Sequence, residues 1–144
     1  MGDRFIYSML IGAGALPFAL AAAAALAGVE TLPLAGTPAR LIITYGFGIV
    51  SFLTGIHWAT YLFASARAPM NLYVLSNIVF LAAWFALLAG DTRSAVVTQS
   101  VAFALLLAVD YVLLRRNVIE SHYFRMRAGA TLVAVLSLMT FVSG

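Results

Sequence analysis

The chain has 144 residues, of which 64% are hydrophobic and only 9% are charged. Soluble domains are about 45–50% apolar and about 25% charged, so a soluble sphere of this size could not bury so much apolar surface. The composition excludes a disordered chain, a nucleic-acid-binding protein and a secreted disulfide scaffold, and it indicates a protein surrounded mostly by lipid.

Five apolar runs are long enough, or nearly long enough, to cross a bilayer as helices, which takes roughly 20 residues each. The last run is the shortest, so we expect its helix to begin near Tyr123, with Arg125 and Arg127 extending toward the lipid head groups. The sequence therefore predicts an all-α fold in one domain, residues 1–144, that forms a polytopic membrane bundle of five transmembrane helices. The predicted spans are residues 5–28, 41–64, 71–89, 95–114 and 124–142.

The arginines are divided unequally between the two ends of these spans. One end receives Arg4, Arg67, Arg115, Arg116, Arg125 and Arg127, and the other receives Arg40 and Arg93. Positive residues near the ends of membrane helices favour the inner side of the membrane. We expect the N-terminus inside and the C-terminus outside, in a bacterial inner (cytoplasmic) membrane, or in the mitochondrial inner membrane if the protein is eukaryotic.

The first 27 residues admit a second interpretation. One arginine, an apolar run and the sequence Ala25-Leu26-Ala27 are typical of a cleaved signal peptide. The run is longer than signal peptides usually carry, and Pro17 lies in its middle. We therefore expect this segment to be the first span.

A face of small residues runs along the second span. Gly48, Ser51 and Gly55 are spaced at i, i+3 and i+7, which places them on one side of a helix. Small residues let another membrane helix approach closely. We expect these three residues to be helix-packing positions.

Polar side chains at similar depth on three spans form a second group. His57 lies about 180° around its helix from Gly48, and Asp110 and Asn77 lie in the inner halves of the fourth and third spans. Polar groups in lipid are costly and therefore need partners. We predict an inner-half polar layer of Thr54, His57, Tyr61, Asn77 and Asp110.

The roles of these residues are open at this point. His57 could hydrogen-bond a neighbour, handle protons or ions, or ligate a cofactor. Asp110 could be a helix-end acid paired with Arg115 and Arg116, or it could make a buried contact with His57 or Arg127. Interhelical hydrogen bonds average only about 0.6 kcal/mol, so simple helix–helix adhesion explains the layer without transport.

No standard catalytic motif occurs in the chain. It lacks a Walker loop, a nucleophile elbow, a zinc-protease helix and a set of paired carboxylates. It has no cysteine, and of its two histidines we expect His122 to lie in a solvated loop. We expect no enzymatic activity, no cofactor and no metal site.

Several short motifs together resemble one family. They are GAGALPF at 12–18, YG at 45–46, IVSFLTGIHW at 49–58, Asp110 with Arg115 and Arg116, and YFRMR at 123–127 followed by Thr131-Leu132. The chain resembles the domain of unknown function 3429 family (transmembrane protein 69-like), although Thr54 stands where that family often has glycine. The resemblance covers nearly the whole chain. It implies five helices in a bacterial inner or mitochondrial membrane, and it implies no established activity.

Two functions remain to be weighed. The first is a non-catalytic structural, accessory or assembly subunit that packs against a larger membrane complex, such as a respiratory or photosynthetic one. The second is a small carrier or a proton or ion pathway that uses the polar layer. The expected partners are the lipid bilayer and other membrane subunits or a second copy of the chain, and no nucleic acid.

Overall fold

The computed structural model describes residues 2–142, and in that range the fold is entirely helical apart from short turns. Five α-helices follow one another with brief connections. They are α1 (Asp3–Leu26), α2 (Pro38–Ala64), α3 (Leu72–Leu88), α4 (Thr92–Arg115) and α5 (Ser121–Met139). A short 3-10 turn, Ser65–Arg67, follows α2. The helix bounds lie within about three residues of the predicted spans.

Local sequence signals set where the helices begin. The side chains of Thr37, Asn71 and Asp91 accept hydrogen bonds from backbone amides in the first turns of α2, α3 and α4. Pro38 follows Thr37 at the first helical position, where a missing amide costs nothing. Pro17 lies inside α1 without ending it.

The helices form a closed ring. Each packs against its neighbours in the chain, α5 packs against α1, and α2 contacts α4 across the middle. The ring of Phe18 from α1 lies in the centre, 5.3 Å from Tyr45 and 5.7 Å from Phe103 between ring centroids. The core around Phe18 includes Val50 and Leu106, both fully buried.

Three helical segments are long and apolar enough to cross a membrane, namely Asp3–Leu26, Pro38–Arg67 and Thr92–Arg115. Helix α3 is apolar but shorter, at 17 residues. These segments indicate a membrane location for the protein.

The close approach on α2 occurs at a different glycine from those predicted. Gly48 and Gly55 are exposed, with open space where a Cβ would stand. Gly46 is buried instead, and a Cβ there would overlap the side-chain oxygen of Gln99 on α4. Within the described chain, no other helix comes close at Gly48 or Gly55, and Ser51 and Gly55 line a cleft between α2 and α3.

Candidate functional site

Three ionisable side chains from three helices meet in the interior. His57 Nε2 lies 2.7 Å from Asp110 Oδ1. Arg127 donates to the other carboxylate oxygen, Oδ2, through Nε at 3.2 Å and Nη2 at 3.0 Å. The three side chains are between 3% and 7% exposed. We call these residues the ionic cluster.

Helical periodicity brings the cluster together, because each member belongs to the buried stripe of its helix. Residues spaced by three, four or seven positions share a helix face. The stripes include Gly46, Val50, Leu53 and His57 on α2, Gln99, Phe103, Leu106 and Asp110 on α4, and Arg127, Thr131, Ala134 and Leu138 on α5.

The cluster is electrically balanced when His57 is neutral. The charges of Asp110 and Arg127 cancel, and His57 then donates its Nε2 proton to the carboxylate. Burying an unpaired ion costs several kcal/mol, so each charge depends on the other for its place in the core. His57 Nδ1 has no hydrogen-bond partner among residues 2–142. This arrangement can fasten α2, α4 and α5 together, and it also holds groups that are able to pass a proton.

Of the predicted polar layer, only His57 and Asp110 form a hydrogen bond with each other. The Thr54 hydroxyl donates to Ser51 O in its own helix, and the Tyr61 ring packs against Tyr73 at 4.6 Å between centroids. Asn77 is exposed and donates to Tyr73 O. Asn77 does not join His57 and Asp110, because α3 turns Ser76 inward and the next residue lies about 100° further around the helix. It lines a cleft between α2 and α3 together with Thr54.

The arginines also differ from expectation. Arg127 is buried on Asp110 rather than extended to the head groups, whereas Arg125 is exposed. Arg116 donates to the backbone oxygens of Arg67 and Ala68, and Arg115 is exposed. Neither Arg115 nor Arg116 pairs with Asp110, because residues five and six positions along a helix do not share its face. The two alternative contacts of Asp110, with His57 and with Arg127, are both present.

At one end of the bundle, several exposed arginines make contacts between the ends of different helices. Arg4 pairs with Glu120 at 3.3 Å, and Arg67 donates to Asn117 O. His122 is not in a solvated loop but lies in the first turn of α5, with Nε2 3.0 Å from Ser8 Oγ. We call this end of the bundle the arginine-rich end; its exposed arginines are Arg4, Arg67, Arg115, Arg116 and Arg125.

Sequence reasoning missed one close contact in the other half of the bundle. Gln99 is fully buried and donates from Nε2 to Ile43 O at 2.8 Å, directly over Gly46. Gln99 lies on the same face of α4 as Asp110, and this position was the signal in the sequence that its side chain is buried. The helix that it faces depends on tertiary packing and could not be read from the sequence.

The described residues offer little for metal chemistry. In the range 2–142, no three histidine or acidic side chains come close enough together to hold a metal ion. The ionic cluster has one imidazole and one carboxylate, and the carboxylate is occupied by Arg127.

The fold and the cluster define a small helical protein with segments long and apolar enough to cross a membrane and a buried ion pair in its interior. The model of the family described as "Protein of unknown function (DUF3429)" matches residues 6–143. The chain belongs to this family, as the motifs around His57 predicted. No match to the chain was found among curated proteins or among solved structures.

Proposed function

We propose that all five helices cross the membrane, as a single domain with the N-terminus inside and the C-terminus outside. Helix α3 is about 25 Å long at the α-helical rise, which is near the lower limit for a span. In α5 the charge of Arg127 is cancelled by Asp110, which lowers the cost of placing this helix in lipid.

The arginine distribution supports the orientation, even with buried Arg127 left out. Five exposed arginines lie at the arginine-rich end, against two at the other. Positive residues collect on the inner side of bacterial inner membranes and of mitochondrial inner membranes. The five are Arg4, Arg67, Arg115, Arg116 and Arg125, and the two are Arg40 and Arg93.

The proposed function is that of a non-catalytic accessory or assembly subunit that packs against a helix of a larger membrane complex. The observation that carries this proposal is the open small-residue face of α2. A Cβ atom added at Gly48 or at Gly55 would have no atom of a neighbouring helix within 4 Å. Beside Gly55, a cleft of about 160 Å³ between α2 and α3 is lined by Ser76 and Asn77.

The cleft also contains an unsatisfied polar atom. Ser76 is 3% exposed, and its hydroxyl has no hydrogen-bond partner among the described residues. In lipid, helices associate through close packing of small residues and through interhelical hydrogen bonds. A partner helix with a small-residue face and one polar side chain would complete both kinds of contact.

Purification in mild detergent, with mass identification of co-purifying proteins, tests this proposal. Replacement Gly55→Leu fills the open face, and Gly129→Leu is the matched control because Gly129 is equally open on α5. We expect the Gly55 variant to lose a membrane protein that the wild type and the control retain at fixed stoichiometry. Equal recovery by both variants, or no partner with the wild type, would contradict the proposal.

A second candidate, a proton or ion pathway, is favoured by the direct contact between His57 and Asp110. Against it, apolar side chains separate this cluster from buried Gln99, and they include Leu53, Phe103 and Leu106. Proton uptake by proteoliposomes that Asp110→Asn abolishes, with co-purification unchanged, would favour the pathway over the accessory role.

A further inference from the structure

Two arginines fasten two connections of the arginine-rich end to each other. Arg67 ends the 3-10 turn after α2, and Arg116 directly follows α4. Arg116 donates from Nη1 to Arg67 O at 3.3 Å and to Ala68 O at 3.1 Å. In return, Arg67 donates from Nη1 to Asn117 O at 3.1 Å. Each guanidinium therefore lies against the connection that carries the other, and we call this pair of arginines the arginine seam.

The contacts within the seam hold both side chains in place and leave most of their donors over. A guanidinium carries five N–H donors in a planar fork that matches the oxygens of a phosphate. Among residues 2–142, the hydrogen bonds of Arg67 and Arg116 side chains use Nη1 alone, and both residues are exposed. The Nε and Nη2 donors can therefore bind an anion, and the side chains lose little further freedom when they do so.

The charge of the seam is not cancelled by an acid. In the described part of the chain, the ion pairs are that of Arg4 with Glu120 and those of the ionic cluster. Arg115, the last residue of α4, is exposed as well and adds a third positive charge to these connections. The C-terminus of α4 contributes only about half a negative charge through its carbonyl groups. The seam is therefore a positively charged surface.

The seam also lies where the hydrocarbon of a membrane would end. Two of the segments long and apolar enough to cross a membrane, Pro38–Arg67 and Thr92–Arg115, end at these connections. Phe63 and Tyr111 each lie four residues, about one turn, before the end of their segment, and they are 85% and 49% exposed. Exposed apolar side chains are thus adjacent to exposed charges along both segments, which is the order of groups in a phospholipid.

We infer that the arginine seam binds the head group of an anionic phospholipid, whose phosphate oxygens accept hydrogen bonds from Arg67 and Arg116. The acyl chains lie against the exposed apolar side chains of the bundle. Basic residues beside membrane helices attract anionic lipids by about 1 kcal/mol each, which is about fivefold in affinity. The inference does not rest on the accessory role, because Gly55 lies twelve residues before Arg67, in the middle of α2.

The first test is a native mass spectrometry titration of delipidated protein in detergent. The probes are dioleoylphosphatidylglycerol, dioleoylphosphatidylcholine with the same acyl chains, and inorganic phosphate alone. We expect a one-to-one complex with phosphatidylglycerol that is about tenfold tighter than that with phosphatidylcholine, since two arginines face its head group. Binding of phosphatidylglycerol should weaken as ammonium acetate is raised from about 0.15 M to about 0.5 M, because salt screens exposed charges.

The double variant Arg67→Gln with Arg116→Gln removes both charges of the seam. The matched control is Arg93→Gln with Arg125→Gln, which removes the same charge at exposed positions outside the seam. We expect the seam variant to bind phosphatidylglycerol about tenfold more weakly and the control to bind it as the wild type does. Thermal unfolding without lipid checks that both variants are folded.

Four outcomes would overturn the inference. They are equal binding of the two lipids by the wild type, a complex that salt does not weaken, inorganic phosphate bound as tightly as phosphatidylglycerol, and equal losses in the seam variant and its control. If the seam variant does not fold, the wild-type comparisons of head group and salt still decide the matter.

Discussion

Asp110 uses both carboxylate oxygens for buried partners, one for His57 and one for Arg127. The effect of changing such a cluster on the free energy of unfolding depends on whether one partner or the whole ion pair is replaced. Replacing the whole of a buried ion pair by apolar groups is often nearly neutral, whereas removing one partner leaves the other charge buried and alone. The stability of this bundle should therefore depend on keeping the charges matched, rather than on the presence of any one residue.

Replacement of either charged partner alone tests this dependence. We expect Asp110→Asn and Arg127→Gln each to destabilise the protein by about 3–5 kcal/mol, because each leaves an unpaired group in the core. The double variant should be more stable than the sum of the two effects predicts. Thermal unfolding in detergent measures this, with Arg125→Gln as a control on the exposed side of α5. Strictly additive effects would show that the two side chains are not coupled.

Asp91 caps the N-terminus of α4, at the opposite end of this helix from Asp110. The side-chain hydrogen bond from Ser94, together with the Ser94 backbone amide, lowers the pKa of the Asp91 carboxyl below its usual value. A lowered pKa in the folded state means that the ionised form is favoured by folding. This contribution is present above the unfolded-state pKa and is lost as the pH falls through the folded-state pKa.

The variant Asp91→Asn tests the effect of pH. Asparagine caps helices about as well as aspartate, so we expect similar thermal stability at neutral pH. Between about pH 5 and pH 3 the wild type should lose more stability than the variant, because only the wild type has this carboxyl to protonate. Parallel pH profiles for the two proteins would contradict the account of this cap.

The helices themselves follow closely from the sequence, but their buried faces do not. Long apolar runs are local signals, which is why the bounds were predicted to within a few residues. In lipid both the core and the surroundings are apolar, so hydrophobicity does not reveal which side of a helix faces its neighbours. For this reason the sequence did not show that Gly46, rather than Gly48 or Gly55, is the glycine of α2 that faces α4.

The two faces of α2 can be compared by adding one methyl group to each. We expect Gly46→Ala to lower thermal stability by about 1–3 kcal/mol, because the Cβ displaces Gln99 from its hydrogen bond with Ile43. Gly48→Ala should be neutral or slightly stabilising, since alanine favours the helix and the site is open. Thermal unfolding of the two variants in detergent measures the difference. Equal effects would mean that α2 does not approach α4 at Gly46.

The polar contacts were partly predictable for a related reason. The depths of His57 and Asp110 follow from counting residues along helices of opposite or equal direction, so their approach could be expected. The choice of Arg127 over Arg115 and Arg116 depends on how α5 packs against α4. Asn77 could not be placed, because a rotation of about 100° separates an inward from an outward position on α3.

At the scale of the whole molecule, the ionic cluster is stable only where α2, α4 and α5 pack around it and keep its charges paired. The five helices form a closed ring, and the exposed arginines mark one end of it. If α3 lay along the membrane surface instead of crossing it, the connections before and after it would lie on one face of the membrane. The proposed orientation therefore requires that all five helices cross the membrane.

Cysteine labelling measures the crossings of α2, α3 and α4 directly, because each is flanked by two connections and the chain contains no cysteine of its own. Single replacements Thr31→Cys, Ala66→Cys, Ser94→Cys and Ser121→Cys place one thiol at an exposed position in each of the four connections or in the first helical turn that follows it. With a membrane-impermeant thiol reagent on intact cells, we predict labelling at positions 31 and 94, and labelling at 66 and 121 only after the membrane is opened. Labelling of any two consecutive connections from the same side would contradict the five-span bundle.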